Sequence, residues 1–318
     1  MCDNWKRYLN QPLKLKDELS LKDYEKFFQN NKDWLSDLKH LGIAGGEPFL
    51  RNDLVDLVKS VRHALPWVSI GLQSNGLTPE KIAQSLDEII KFYPEITLAV
   101  SLDGISETHD KIRGIKGAYE KVLKTISLAR KAGVREISCG MTIQENNFNE
   151  ILKVKEIVER EGAEFSCFLA DVGEYYNKKE KGGLSERAKK SVIQSLKSFR
   201  GDYYLDNLRL QLEGKRKRKL PCYSGWTSLV IDPYGEVRPC VLRSESFGNI
   251  KKQSLKEILA GNKAKKIREK IKKCTCWSIC EISTSAVVDP WDVGKWVLFY
   301  GNKKEFLKQS LKKIDRFV

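Results

Sequence analysis

The sequence predicts an α/β protein, with a parallel sheet flanked by helices through the first half of the chain and a small α+β extension after it. Three observations predict this. Between residues 41 and 169, short apolar segments of strand length alternate with longer segments whose apolar residues recur at helical spacing, the rhythm of right-handed strand–helix–strand units. Polar, glycine-bearing punctuation recurs at the carboxyl ends of three successive strands. Charge and cysteine content change together near residue 170: residues 1–170 carry 24 basic and 25 acidic side chains, whereas 171–318 carry 33 and 17 and hold five of the eight cysteines.

Each element has its own signal. Ser20 caps a helix that the spacing of Tyr24, Phe27, Phe28, Trp34, Leu35 and Leu38 carries on to residue 38. A strand over 41–44 runs straight into Gly45, Gly46, Glu47 and Pro48. A helix over 53–65 leads to a strand over 68–72 that ends in Ser74, Asn75 and Gly76. Thr78 and Pro79 open a helix to about residue 92, and the strand over 96–100 ends in Ser101, Leu102, Asp103 and Gly104. Two more units follow: a helix over 118–132 with a strand over 136–143, then a helix over 149–161 with a strand over 164–169.

Composition excludes several classes. With 318 residues, 41% of them apolar and 31% charged, the chain is long enough for one large α/β domain or a core with an appendage, and it is not globally disordered. No apolar run approaches the roughly 18 residues of a membrane span. The start, from Met1 to Arg7, lacks the apolar stretch of a secretory signal. A cytoplasmic protein is expected, with cysteines reduced and available as metal ligands. The net charge of +15 resides in the second half; a Lys-rich surface of thermophile type is the plain alternative to an anionic partner.

Ligands of parallel α/β folds bind at the carboxyl ends of the strands, where loops carry chemistry without disturbing the core. Here those ends place Gly45, Gly46, Glu47, Pro48, Ser74, Asn75, Ser101 and Asp103 around one mouth. Each string is weak by itself; their ordered recurrence is not. On these motifs the chain resembles the radical S-adenosylmethionine (radical SAM) family. The resemblance implies a partial (β/α)6 barrel of TIM type, a 4Fe–4S cluster held by a Cys-x3-Cys-x2-Cys loop after the first strand, and SAM on the fourth iron. It implies that the Gly45–Pro48 motif pairs with the methionine amino group and that Ser74, Asn75 and Ser101 contact the methionyl or ribose part. Asp103 is counted with them; a structural salt bridge to Arg113 is the alternative.

Met1-Cys2-Asp3-Asn4-Trp5 is similar to the end of the family's cluster loop. Cys2 would then be its third cysteine, with the other two, and the first strand, upstream of Met1, a stretch of roughly 20 residues. Cys139 and Cys167 fall inside strand patterns and read as small core residues.

A second cysteine set needs no resemblance. Cys222 and Cys240 flank a hairpin pattern turning at Pro233, Tyr234 and Gly235, and Cys274, Cys276 and Cys280 cluster behind a basic helix. Two ligands from a hairpin and two from a distant knuckle make a four-sulfur site suited to zinc or an iron–sulfur cluster. The spacing from Cys222 through Gly235 to Cys240 resembles the SPASM and twitch extensions of radical SAM enzymes. That implies an auxiliary 4Fe–4S cluster on Cys222, Cys240, Cys276 and Cys280, with Cys274 as the alternative ligand.

The implied organisation is a barrel core over 1–170, a last barrel helix and linker over 171–215, a cluster domain over 216–285 and a helical tail over 286–318. The tail's Trp291, Trp296, Val297, Phe299, Tyr300 and Phe306 read as apolar packing or a cover for the mouth. The basic runs 215–219 and 263–273 are either solvated faces or a surface for an anionic partner. His40, His63 and His109 form no metal or triad pattern. The functional expectation is a radical SAM enzyme that cleaves SAM to a 5′-deoxyadenosyl radical for hydrogen abstraction from a peptide or small-molecule substrate. It would be fed by a reductant such as a ferredoxin or flavodoxin. The alternative is a non-catalytic zinc- or cluster-bearing protein that binds RNA or another anionic partner.

Overall fold

The computed structural model describes residues 16–170, 183–199, 201–218 and 220–299, with the backbone alone at Cys280 and Ser283. The strand–helix rhythm folds into a five-stranded, all-parallel sheet in the order β1 (His40–Ile43), β2 (Ser69–Ser74), β3 (Thr97–Ser101), β4 (Glu136–Ile143) and β5 (Glu164–Leu169). The in-register pairs Leu41–Ile70, Leu72–Leu98, Val100–Cys139 and Met141–Cys167 align the strands' carboxyl ends along one edge.

Alternation along each strand sorts the two faces. Ile70, Leu72, Leu98, Val100, Ile137 and Met141 are buried on one face. Against them lie the apolar stripes of four helices: α2 (Leu54–Ala64), α3 (Pro79–Ile90), α5 (Ala118–Ala132) and α6 (Ile151–Arg160). The opposite face carries Gln73, Thr97, Ala99, Ser101, Ser138 and Gly140, small or polar and partly open. Parallel sheets are normally apolar on both faces because both are packed. A polar second face therefore belongs to a wet or ligand-bearing space.

Two elements differ from the sequence expectation. The helix expected to reach residue 38 ends early: α1 covers Leu21–Asn30, followed by a 3-10 turn over Asp33–Leu35. The cause is Asn31, which is buried and donates from Nδ2 to the Phe27 carbonyl at 2.8 Å, drawing the last turn closed. The loop after β3 contains an unexpected helix, α4 (Glu107–Arg113), whose buried side is His109 alone. Seven residues with one buried position show no apolar period.

Next come α7 (Glu186–Leu196) and α8 (Tyr203–Leu212), whose Val192, Leu196, Tyr204, Leu205 and Leu208 join the main core, and then the extension's three-stranded antiparallel sheet of β6 (Val230–Ile231), β7 (Glu236–Arg238) and β8 (Gly248–Asn249). Helices α9 (Leu255–Ala260), α10 (Asn262–Lys272), α11 (Ile279–Val288) and α12 (Pro290–Phe299) complete it. Val237, Phe247, Ile258, Ala264, Ile267 and Ile271 form a small second core. Hydrogen bonds join the two halves: Leu19 N–H donates to the Pro233 carbonyl at 2.7 Å, and Leu255 N–H to the Asn31 side-chain Oδ1 at 3.0 Å. The tail helix buries Trp296 edge-on against Tyr203, 5.4 Å between centroids, while Trp291 and Phe299 are exposed; Tyr300 and Phe306 lie outside the described residues. Among the described residues no helix is long and apolar enough to cross a membrane.

Candidate functional site

At the strand ends, the chain out of β1 turns at Gly45, whose φ of +145° is a conformation that L side chains rarely adopt. A Cβ built on Gly45 or Gly46 would meet no atom within 4 Å, so open space borders the turn. Glu47 comes next and caps the 3-10 helix Pro48–Leu50, its Oε1 accepting from Phe49 N–H at 3.3 Å. The same carboxylate accepts from Ser74 Oγ at 3.0 and 3.1 Å and from Asn75 N–H at 2.7 Å. The β1 and β2 loops are thus bound together through Glu47. Gly76 closes the second loop at φ +72°, packed so tightly that a Cβ would lie 2.9 Å from side-chain atoms of Val100 and Val122.

Burial raises the Glu47 pKa, against the hydrogen bonds from Asn75, Ser74 and Phe49, which lower it. Among the described residues no cation pairs with it. A partly buried, hydrogen-bonded carboxylate beside open space has the chemistry to receive an ammonium group.

Ser101 stands at the end of β3, beside Gly140 of β4. Asp103 is 1% exposed, and its carboxylate is engaged: Oδ1 accepts from Thr142 N–H at 2.8 Å, and Oδ2 pairs with Arg113 at 2.7 Å. His109 Nδ1 accepts from Asp103 N–H at 2.9 Å, and burial lowers the His109 pKa to about 4, so the ring is neutral. Asn147 and Glu150 tie the same loop to the end of β4, at Asp103 O, Ile105 N–H and Thr108 Oγ1.

In the extension, Cys222 and Cys240 are buried and Cys274 and Cys276 half-buried. Burial raises the pKa of Cys222, and that of Cys240 to about 11. Cys274 and Cys276 share a hydrogen bond that lowers the Cys274 pKa to about 5 and raises that of Cys276. Arg218 and Arg243 add positive charge that favours the Cys274 thiolate. Cys2 lies outside the described residues, as does the side chain of Cys280, which sits in α11. Among the described residues no three His, Cys, Asp or Glu side chains surround a single metal position. A four-iron cluster takes one thiolate per iron, so its ligands need not share a point. Soft, clustered thiols beside two guanidinium groups fit such a cluster in donor chemistry. Cys139 and Cys167, by contrast, are buried core thiols with pKa values pushed up to about 12.

Three residues near this site carry no motif. Arg218, Arg243 and the buried Glu281 surround the thiols; Glu281 accepts from Ser228 Oγ at 3.0 Å, and burial raises its pKa. Their only sequence signals are proximity, four residues before Cys222, three after Cys240 and next to Cys280.

Residues 1–158 match the radical SAM superfamily, and residues 222–281 match the SPASM iron-sulfur cluster-binding domain. The antilisterial bacteriocin subtilosin biosynthesis protein AlbA of Bacillus subtilis is 30% identical over 224 residues, 68% of this chain and 48% of AlbA. AdoMet-dependent heme synthase of Methanosarcina barkeri is 29% identical over 239 residues, 68% of this chain and 66% of the synthase. The chain thus spans about half of the first relative's length and 66% of the second's. In structure it is similar to anSMEcpe with bound AdoMet at a TM-score of 0.59 and 21% identity, over 80% of this chain and 71% of that one, which supports the fold. The chain belongs to the radical SAM superfamily and carries a SPASM domain. The two domains imply 4Fe–4S clusters and SAM as cofactors.

Proposed function

We propose that the chain is a radical SAM enzyme in which Gly45, Gly46, Glu47 and Pro48 receive the methionine end of SAM, and Ser74, Asn75 and Ser101 border the rest of it. The observation that carries this is the Glu47 carboxylate: fixed by Ser74 and Asn75, raised in pKa by burial and adjacent to open space. An amino group placed there supplies the positive charge that the site lacks among its described residues. Pro48, its φ fixed by the ring, opens the 3-10 turn that the Glu47 side chain caps. Asp103 contributes by holding the β3 loop in place through Thr142 and Arg113.

When bound, the cluster supplies the electron that cleaves SAM to methionine and a 5′-deoxyadenosyl radical, which takes a hydrogen atom from a peptide or small-molecule substrate. The polar second face of the sheet, with Gln73, Thr97, Ser101 and Ser138, is where this chain would bind that substrate. We assign residues 1–170 to the SAM-binding barrel and 216–285 to an auxiliary cluster on Cys222, Cys240, Cys276 and Cys280, with Cys274 as the alternative fourth ligand. The reductant is of the ferredoxin or flavodoxin class, and the compartment the cytoplasm.

The test is SAM binding and cleavage by the anaerobically reconstituted protein extended upstream of Met1 through the expected first two cysteines of the cluster loop, of which this sequence carries Cys2 alone. SAM-dependent release of 5′-deoxyadenosine on reduction is expected; SAM affinity that is the same in wild type and Glu47→Gln would overturn the assignment. The reading of the basic run as an RNA-binding surface gains no support from geometry. Lys215 pairs with Glu213 at 2.9 Å, Arg216 with Asp292 at 2.6 Å, and Arg218 turns inward to backbone carbonyls.

A further inference from the structure

The run 215–219 is the most basic string in the chain, and the proposed reaction leaves it without a role. Arg218, within it, donates from all three guanidinium nitrogens to the protein. Its Nε donates to the Leu220 carbonyl at 2.7 Å, its Nη2 to the Pro221 carbonyl at 3.2 Å and its Nη1 to the Cys276 carbonyl, with Cys276 Sγ 3.8 Å from the same nitrogen. Leu220 and Pro221 lead directly into Cys222. One guanidinium therefore joins two cysteine-bearing segments whose residues lie more than 50 positions apart in the chain.

We propose that Arg218 is a positioning residue of the auxiliary cluster. It clamps the segment before Cys222 to the segment at Cys276 and keeps a positive charge beside the sulfurs, and it thereby sets both the retention of the cluster and its reduction potential. This rests on the reading that the extension holds an iron–sulfur cluster. Only arginine can do both parts: its planar fork supplies several donors in fixed directions, whereas lysine supplies a charge on a flexible stem. Among the described residues no carboxylate forms an ion pair with Arg218, whose charge acts on the Cys274 thiolate and on the buried Glu281 alike. Arg243 is the contrast, since Glu245 holds it by two bonds of 2.9 and 2.7 Å and neutralises it locally. Hydrogen bonds and charge around cluster sulfurs are what tune cluster potentials, and a cation favours the more negative, reduced state.

The full chain, reconstituted anaerobically with iron and sulfide, provides the test in wild type, Arg218→Gln, Arg218→Lys and Arg243→Gln. The paramagnetic signal lost in Cys222→Ala identifies this cluster. Arg218→Gln is expected to hold it roughly 10- to 100-fold less tightly, read as faster iron loss to a chelator, and to shift its midpoint potential to a more negative value. Arg218→Lys should lose retention but keep a potential near wild type, and Arg243→Gln should move the potential less than Arg218→Gln. In the metal-free chain, amide exchange at residues 274–277 should quicken in both Arg218 variants. Should Arg218→Gln not fold, Arg218→Lys carries the retention and exchange arms by itself. Unchanged release, potential and exchange in the Arg218 variants would overturn the proposal. A wild type with no Cys222-dependent signal would instead overturn the reading beneath it.

Discussion

The barrel mouth and the thiol cluster are built on opposite electrostatics. At the mouth an anion, Glu47, is held by neutral donors with no cation among the described residues. In the extension Arg218, with Arg243 held by Glu245 and the buried Glu281 beside them, lies among thiols of which Cys274 is already pushed toward thiolate. The first arrangement suits a cationic group of a ligand, the second an anionic cluster. Each arrangement would thus oppose the charge of its proposed ligand, because bringing like charges together in a partly buried space is costly.

The largest effect that would break this comparison is in the extension. Cys222→Ala should abolish the auxiliary cluster, a loss of about four iron atoms per chain by iron assay, if the site is of the four-thiolate type. Cys274→Ala and Cys276→Ala, assayed the same way, decide the remaining ligand: full iron content without Cys276 would move the assignment to Cys274.

At the mouth the expected effect is smaller. Glu47→Gln removes a charge-assisted contact and should weaken SAM binding by roughly 10- to 100-fold, measured by equilibrium dialysis. The pH dependence has a definite sign. Burial raises the Glu47 pKa in the SAM-free protein, so the folded chain binds more protons than the unfolded one from the ordinary carboxylate range upward, and this group's contribution to stability falls as pH rises through that window. SAM affinity should rise over the same window as the carboxylate ionises, and Glu47→Gln should flatten the rise.

His109 acts on stability rather than on a ligand and separates the halves by acid. Its pKa falls from 6.5 to about 4 on folding, so the unfolded chain binds more protons between these values. The stability that its neutral form contributes is complete above about pH 6.5 and lost by about pH 4, on the order of 3 kcal/mol at most. His109→Gln should flatten acid unfolding of the barrel, followed by hydrogen exchange in β3 and β4, with no change in the extension. An equal change in both halves would show that they unfold as one unit.

Much of the barrel was legible in the sequence. The helix at 118–132 and the strands at 136–143 and 164–169 occupy the residues their apolar patterns mark. The mouth was legible as a set of strand ends, and the thiol site as a set of cysteines. Asp103 illustrates the limit: sequence leaves it open between ligand and structural ion pair, and the structure shows its carboxylate engaged by Thr142 and Arg113. The basic run illustrates it again, since five consecutive cations look alike in sequence, yet Arg216 pairs with Asp292 of the tail and Arg218 turns to Cys276.

The physical reason is range. Periods of 2 and 3.6 residues, glycine turns and capping serines are properties of neighbouring residues, so the order of strands and helices follows from the sequence by itself. Only the tertiary structure brings Ser74 to Glu47, Leu255 to Asn31 and Cys276 to Arg218, because those bonds depend on which helix faces pack and how far each strand end projects. The sequence determined a parallel α/β barrel with a cysteine-bearing extension. Packing decided that one site would present a carboxylate to open space and the other a guanidinium to sulfur.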